Sequence, residues 1–210
     1  MLIFTAQSLA FVAVPKTGTT ALEQALKPHA DLSFGKSLKH TTAQRFHRKI
    51  RPFLQDTFGG SFEAFAVLRQ PEDQIRSWYK YRSRDEIADK PEYVGHMSFD
   101  EFVREVISDH PAPCAGIGSQ WGMLTGWRGR LLVDHLFAYE QWSRLEEFLS
   151  DRLATRIVCE TRNVSPHVTA ELEPKTRALL QQKRSDEFAL HARLMDAGGK
   201  LSPKRRTAAI

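Results

Sequence analysis

The sequence predicts an α/β fold in which helices flank a mainly parallel central sheet. Two short runs predict buried strands: Ala10–Val14 is apolar throughout, as is typical of a strand that is buried on both faces, and Phe62–Leu68 is apolar except for Glu63. Each run is followed by a segment with the features of a helix N-terminus. Strands that alternate with helices in this way indicate an α/β sandwich.

The first of these helices is predicted over Thr19–Leu26. The second, from Pro71 to about Arg82, begins with a proline where a first helical turn tolerates one. Ser98 and Glu101 then form a capping box that opens a helix to about Ser108. Further along the chain we predict strands at Leu131–Tyr139 and Thr155–Cys159, and helices at Gln141–Leu153, Glu171–Lys183 and Ser185–Ala197.

Length and composition suit a single domain. The chain has 210 residues, of which 41% are hydrophobic and 26% charged. We predict one domain over residues 1–197 and a flexible basic tail over residues 198–210. The net charge of +5 is modest, and Lys and Arg are spread along the sequence. This pattern fits a cleft for a polyanionic ligand better than a nucleic-acid surface, so we expect no nucleic-acid partner.

Cysteine use and hydropathy indicate a cytoplasmic location. The two cysteines, Cys114 and Cys159, lie in no metal-ligand pattern, which predicts reduced thiols and no structural metal. The apolar start of the chain lacks a preceding Lys or Arg and runs directly into the loop motif at Val14–Thr20, which disfavours a signal peptide. No apolar run is long enough to predict a membrane span.

The segment from Val14 to Thr20 joins the first predicted strand to the first predicted helix and has the features of an anion-binding loop. Unpaired backbone N–H groups at a helix N-terminus, together with the helix dipole, attract anions. Gly18 allows the backbone to approach a ligand closely, and Lys16 adds a positive charge. The hydroxyl groups of Thr19 and Thr20 can donate hydrogen bonds.

This loop differs from the nucleoside-triphosphate loop G-x-x-x-x-G-K-[ST]. Its lysine precedes its glycine and the first glycine is missing, which disfavours a magnesium-dependent kinase. A plain strand-to-helix turn with a surface lysine is the alternative interpretation. The buried strand before the loop and the two threonines at the helix start favour anion binding. The fold that we predict is accordingly a P-loop-like three-layer sandwich.

The residues of this loop resemble the phosphosulfate loop of sulfotransferases that use 3′-phosphoadenosine 5′-phosphosulfate (PAPS). That loop has the core Pro-Lys-[Ser/Thr]-Gly-[Thr/Ser]-[Thr/Ser]. The resemblance implies that Lys16 bridges the 5′-phosphate and the leaving oxygen. It also implies that every matching position binds the co-substrate, namely Pro15, Lys16, Thr17, Gly18, Thr19 and Thr20.

The same family binds the 3′-phosphate of PAPS with an arginine at the end of a later strand and a serine about eight residues further on. Here Arg69 follows the second predicted strand, and Ser77 lies eight residues later in the following helix. The planar guanidinium group of Arg is suited to holding phosphate through two hydrogen bonds. The resemblance therefore implies that Arg69 and Ser77 bind the co-substrate. Without it, Arg69 is a strand-end residue and Ser77 an ordinary helix residue.

Weaker similarity covers most of the chain and favours the bacterial and carbohydrate-type branch over the cytosolic aryl branch. The Gly-x-x-Gly-x-x-Lys element of the aryl branch is missing. In this resemblance Asn163 and Ser165 belong to a loop over the nucleotide. The segments that carry it are Gln120-Trp121, Val133-Asp134-His135-Leu136, Tyr139-Glu140, Asn163-Val164-Ser165 and Ser185-Asp186-Glu187-Phe188.

Sulfuryl transfer to a hydroxyl group needs a base for the acceptor proton. His40 follows the first helix, and a histidine in a similar place serves as base in the carbohydrate-type relatives. The resemblance thus implies a catalytic role for His40, against the alternative of a surface histidine. Glu63 and Glu72 are acidic alternatives near the second strand.

The function predicted from these residues is a PAPS-dependent sulfotransferase that needs no metal and releases 3′,5′-adenosine bisphosphate. The alternatives are a P-loop small-molecule kinase and a PAPS-binding protein without turnover. The acceptor is a small molecule or a carbohydrate. Trp121, Trp127 and Trp142 offer faces on which a sugar can stack, although tryptophans are more often core residues.

Overall fold

The structure is a computed structural model that describes residues 1–35, 38–159 and 170–202. Within these residues the chain has an α/β fold with an open, mixed sheet of six strands. The strands are β1 (Leu2–Phe4), β2 (Leu9–Phe11), β3 (Leu32–Ser33), β4 (Glu63–Leu68), β5 (His135–Ala138) and β6 (Lys200–Leu201). Their order in the sheet is β3-β1-β2-β4-β5-β6.

The centre of the sheet is parallel and its flanks are antiparallel. β2 pairs with β4 and β4 with β5 in parallel, whereas β1, β3 and β6 join in antiparallel fashion. The β2–β4 ladder extends past β2, because the N–H of Val12 donates to the carbonyl of Phe65 at 2.9 Å. The carboxyl ends of β2, β4 and β5 therefore lie at the same end of the sheet, which we call the loop end.

The helices with α geometry are short, and one of them is interrupted by a π-helical turn at Phe46–Ile50. They are α1 (Thr19–Leu26), α2 (Ala43–Arg45), α3 (Arg51–Phe58), α4 (Pro71–Arg82), α5 (Phe99–Val106), α6 (Gln120–Leu124), α7 (Trp142–Leu153), α8 (Pro174–Lys183) and α9 (Ser185–Asp196). No helix of the described residues is both long and apolar enough to cross a membrane.

Several predicted elements have the bounds that the sequence indicated. α1 and α4 begin and end at the predicted residues, and β4 begins one residue later than predicted. The capping box at Ser98 and Glu101 is formed, with both reciprocal hydrogen bonds present. β1, β3 and the helical stretch from α2 to α3 were not predicted from the sequence.

Two predictions need correction. Thr155–Cys159 is not a strand, because side chains of α7 bind its backbone: the N–H of Ile157 donates to Ser150 and that of Cys159 to Glu146. The predicted flexible tail began too early, since β6 pairs with β5 inside residues 198–202. Residues 203–210 lie outside the described residues.

The length predicted one domain, and the chain divides into two compact units. The first comprises the described residues within 1–69, 120–162 and 192–210, and it contains the sheet. Its core includes the stacked rings of Phe11 and Phe65. The second comprises those within 70–119 and 163–191, with a core around Tyr79 and Phe102. Both cysteines are free thiols.

Candidate anion-binding site

The loop from Val14 to Gly18 connects β2 to α1 through two residues in left-handed backbone conformation. Lys16 has φ +66° and Gly18 has φ +75°. The buried hydroxyl of Thr17 donates to the carbonyl of Val14 at 2.9 Å and closes the turn. Gly18 is the N-cap of α1 and provides no side-chain cap. The first backbone N–H groups of α1 are thus left for another acceptor, as an anion site requires.

A side chain at position 18 would not fit this loop. A Cβ atom there would lie 2.5 Å from Cη2 of Trp142 and 3.3 Å from Cε2 of Tyr139. The left-handed φ also favours glycine at this position. The two aromatic rings pack edge to face, with 5.4 Å between their centroids. Gly18 therefore brings the loop backbone against an aromatic pair that follows β5.

Arg69 lies beside the loop, directly after β4. Its Nη1 donates to the carbonyl of Lys16 at 3.4 Å, and its guanidinium group lies over the ring of Tyr139 at 4.4 Å. No carboxylate among the described residues forms an ion pair with it. Arg69 thus carries a positive charge, next to an anion-binding turn, that the described acidic residues leave uncompensated.

Gln120 fixes the backbone of Arg69. Its Oε1 accepts from the Arg69 N–H at 3.0 Å, and its Nε2 donates to the Arg69 carbonyl at 2.8 Å. The Gln120 side chain is fully buried. None of these contacts of Gln120, Tyr139 and Trp142 was predicted: Gln120 and Tyr139 stand only in segments of weaker similarity, and Trp142 was considered only as a face for sugar stacking. A signal existed only for Tyr139, which stands at the end of a predicted strand, as Arg69 does.

His40 is attached to the strand that leads into the loop. Its Nδ1 donates to the carbonyl of Ala13 at 2.8 Å, so Nε2 is the ring nitrogen that can accept a proton. Partial burial of the ring is the main reason that its pKa lies below the usual value, and the charge of Lys39 lowers the pKa further. Because Lys39 binds Glu23 of α1 at 2.7 Å, the segment that carries His40 is also tied to α1.

The structure brings Lys16, Gly18, Arg69 and His40 to the loop end of the sheet in the first unit. Ser77 lies in the second unit, on α4, where it is partly exposed. Its pairing with Arg69 stays a prediction from their spacing. Asn163 and Ser165 lie outside the described residues.

The two acidic alternatives to His40 occupy other positions. Glu63 is the first residue of β4, at the opposite end of that strand from Arg69, and it binds Arg152 at 2.5 Å. Glu72 is a buried residue of the second unit, where it binds Arg76 and Arg177. Both carboxylates are therefore neutralised by arginine.

No family model matches the chain, and no curated protein matches it significantly. What the arrangement can do follows from its chemistry. A ligand with several anionic groups can bind to the backbone donors of the turn, to the lysine and to the arginine that has no described carboxylate partner. The neutral imidazole nearby can accept a proton beside that ligand.

Proposed function

We propose that this chain is a sulfotransferase that moves a sulfuryl group from PAPS to a hydroxyl group of an acceptor. The observation that supports it best is the position of Arg69, whose guanidinium group lies 3.4 Å from the carbonyl of Lys16. Lys16 and Arg69, 53 residues apart in sequence, thus lie side by side in one unit. This proposal includes a P-loop-like, three-layer arrangement of the α/β fold.

The residues present fit a ligand with separate anionic groups. The turn at Lys16 and Gly18 would hold the 5′-phosphosulfate through backbone N–H groups and the Lys16 ammonium. Arg69 would hold the 3′-phosphate, with its guanidinium plane supported by Tyr139. Bound PAPS supplies an activated sulfuryl group and a leaving group that becomes 3′,5′-adenosine bisphosphate.

The chain would contribute charge stabilisation and a base. Lys16 would stabilise the negative charge that develops on the leaving oxygen, an interaction that is strongest in the transition state. The proton of the acceptor hydroxyl would move to Nε2 of His40, since Nδ1 already donates to Ala13. A carbohydrate is one acceptor that this proposal includes.

Ligand-induced stabilisation tests the class of co-substrate. We expect 3′,5′-adenosine bisphosphate at one hundred times its Kd to stabilise the protein by about 2.7 kcal/mol, or roughly 5–10 °C in Tm. ATP with Mg²⁺ should stabilise it far less. The reverse order would support the kinase alternative, and no response to either would overturn the proposal. Binding without sulfate transfer to any hydroxyl acceptor would leave a PAPS-binding protein without turnover.

Arg69→Ala tests the reading of the 3′-phosphate. It should weaken 3′,5′-adenosine bisphosphate by about 1.5–3 kcal/mol, because a charge-assisted phosphate contact is lost. Adenosine 5′-phosphosulfate, which lacks the 3′-phosphate, should bind with nearly unchanged affinity. Arg144→Ala, which removes an exposed arginine of α7 in the same unit, is the matched control. Equal weakening of both ligands would show that Arg69 does not recognise the 3′-phosphate.

A further inference from the structure

Two segments of the first unit concentrate positive charge. Residues 44–55 and 120–133 together contain six Lys or Arg and no Asp or Glu. These six charges exceed the net charge of +5 of the entire chain. In the sequence these basic residues are spread along the chain, because about 65 positions separate the two segments.

The structure brings the two segments together. α2 packs against α6, and Nε2 of His47 in the π-helical turn donates to the carbonyl of Leu132 at 2.6 Å. Burial of the His47 ring lowers its pKa, and the nearby charges of Arg51 and Arg130 lower the pKa further. A basic residue of the second segment therefore lies close to the π-helical turn of the first.

The positive charges of this surface lack acidic partners among the described residues. Arg51 is the exception, since it pairs with Asp134 at 3.6 Å. We call the remaining cations and the two aromatic residues beside them the basic-aromatic face. Its members are Arg45, Arg48, Lys49, Phe53, Trp127, Arg128 and Arg130, and all are exposed.

Two of these members are large aromatic side chains in solvent. Trp127 is 76% exposed and Phe53 is 56% exposed. Trp127 lies in a turn that is closed by a bridge between Thr125 and Leu131, so the turn holds the indole outward. Phe53 follows Lys49 by four residues, the spacing of neighbouring side chains on a helix. Exposed aromatic groups beside unpaired cations are typical of surfaces that bind a partner.

We propose that the basic-aromatic face binds the surface of an anionic membrane. Lys and Arg side chains pair with acidic headgroups, while Trp and Phe enter the boundary between headgroups and acyl chains. Phe53 has no polar group and gains most from hydrocarbon. One face of the Trp127 ring is already covered by the guanidinium group of Arg128 at 4.0 Å. That contact leaves only one face of the indole for stacking on a sugar or base. Insertion into a lipid interface does not require a free ring face, so the covered ring can still insert.

The test is co-sedimentation of the full chain with vesicles of phosphatidylcholine alone or mixed with phosphatidylglycerol. We expect binding to the mixed vesicles, weakening with salt, and little binding to neutral ones. The double variant Arg48→Gln/Lys49→Gln should bind about 20–30-fold more weakly, because each cation near an anionic bilayer contributes roughly a factor of five. Trp127→Ser/Phe53→Ser, which keeps the charge, should lose about tenfold.

Two control variants remove the same chemistry elsewhere on exposed positions. Lys175→Gln/Arg193→Gln removes two cations, and Leu179→Ser removes an apolar side chain that is 42% exposed. Both should bind vesicles like the parent chain, and circular dichroism checks that every variant is folded. If the control variants lost as much vesicle binding as the variants of the face, the binding would depend only on overall charge and hydrophobicity, and the proposal would be overturned. So would aromatic variants that bind vesicles normally but lose dextran sulfate or an oligonucleotide, which would identify the face as a site for those polymers.

Discussion

Charged side chains have different kinds of partner at the two ends of the parallel strands. At the amino ends of β4 and β5, the carboxylate of Glu63 accepts from Arg152 at 2.5 Å and from His135 at 3.2 Å. Arg152 also donates to the carbonyl of Gln7 at 2.9 Å. At the loop end, the guanidinium group of Arg69 has a backbone carbonyl and an aromatic ring but no described carboxylate.

This difference separates stability from binding. A charge that is compensated within the fold contributes to the native state and has little left for a ligand. A charge supported by dipoles and an aromatic face keeps its capacity to bind an anion. We therefore expect changes at Glu63 to affect unfolding and changes at the loop end to affect ligand binding and turnover.

The largest effect is expected for His40. His40→Ala and His40→Asn should lower turnover about 10²–10⁴-fold, the usual range for one general base, with co-substrate affinity largely kept. The kcat/KM of the parent chain should rise with pH through a pKa below 6.5, because the base must be neutral and burial lowers its pKa.

His29→Asn, at an exposed position after α1, is the matched histidine control. Near-normal turnover in both His40 variants, with the acidic limb of the pH profile still present, would assign the base to another residue. Lost affinity for 3′,5′-adenosine bisphosphate would instead make His40 a part of the binding pocket.

Lys16→Ala is expected to follow in size. It should lower kcat by about 10²–10³-fold and weaken the bisphosphate much less, since the ammonium acts mainly as charge develops on the leaving oxygen. Lys27→Ala, at the exposed end of α1, removes a lysine without touching the loop. A raised KM with unchanged kcat would make Lys16 a binding residue alone.

The smallest effect is expected at the opposite end of the sheet. Glu63→Gln should lower the free energy of unfolding by about 1–3 kcal/mol, because Arg152 loses its charged acceptor, and should leave bisphosphate affinity unchanged. Urea unfolding with a parallel binding titration measures both quantities. A loss of affinity as large as that of Arg69→Ala would contradict the division between the two ends.

The same network predicts how stability depends on pH. Burial is the main cause that lowers the pKa of His135 in the folded chain, although Glu63 raises it in part. The unfolded chain therefore binds more protons, and stability should fall as the pH decreases below about 6.5. His135→Gln should flatten this dependence in urea titrations. A parent chain whose stability stays constant between neutral and mildly acidic pH would contradict the expectation.

The elements that the sequence predicted well carry local signals. α4 has Pro71 in its first turn and α1 follows directly after Gly18, so neighbouring residues determine where both helices begin. β2 is a continuous apolar run and β4 is apolar after its first residue, Glu63, so the burial of both strands is evident in their composition. At the candidate site, these local signals placed Lys16 and Arg69 each directly after a predicted strand, and the family resemblance assigned both residues to one co-substrate.

What the sequence missed depends on contacts between distant residues. The two hydrogen bonds between the Gln120 side chain and the Arg69 backbone span 51 positions, and nothing near Gln120 indicates them. The stretch from α2 to α3 contains Pro52 and many polar residues, and this composition does not indicate a helix. Pro52 is tolerated because it stands in the first turn of α3, which follows the π-helical turn. Thr155–Cys159 has the composition of a strand, but side chains of α7 accept hydrogen bonds from its backbone in place of a neighbouring strand.

The turn after β5 sets the distance between the Arg69 guanidinium group and the loop at Gly18. Tyr139 supports Arg69 and Trp142 contacts Gly18, and only two residues separate these rings in a short 3-10 segment. The spacing between the guanidinium group and the loop is therefore fixed during folding, before a ligand arrives. Ordering that precedes binding costs no further conformational entropy in the complex. The aromatic pair accordingly fixes the distance between Arg69 and the loop. This distance favours ligands whose anionic groups have the same spacing over ligands that carry the same charge at another spacing.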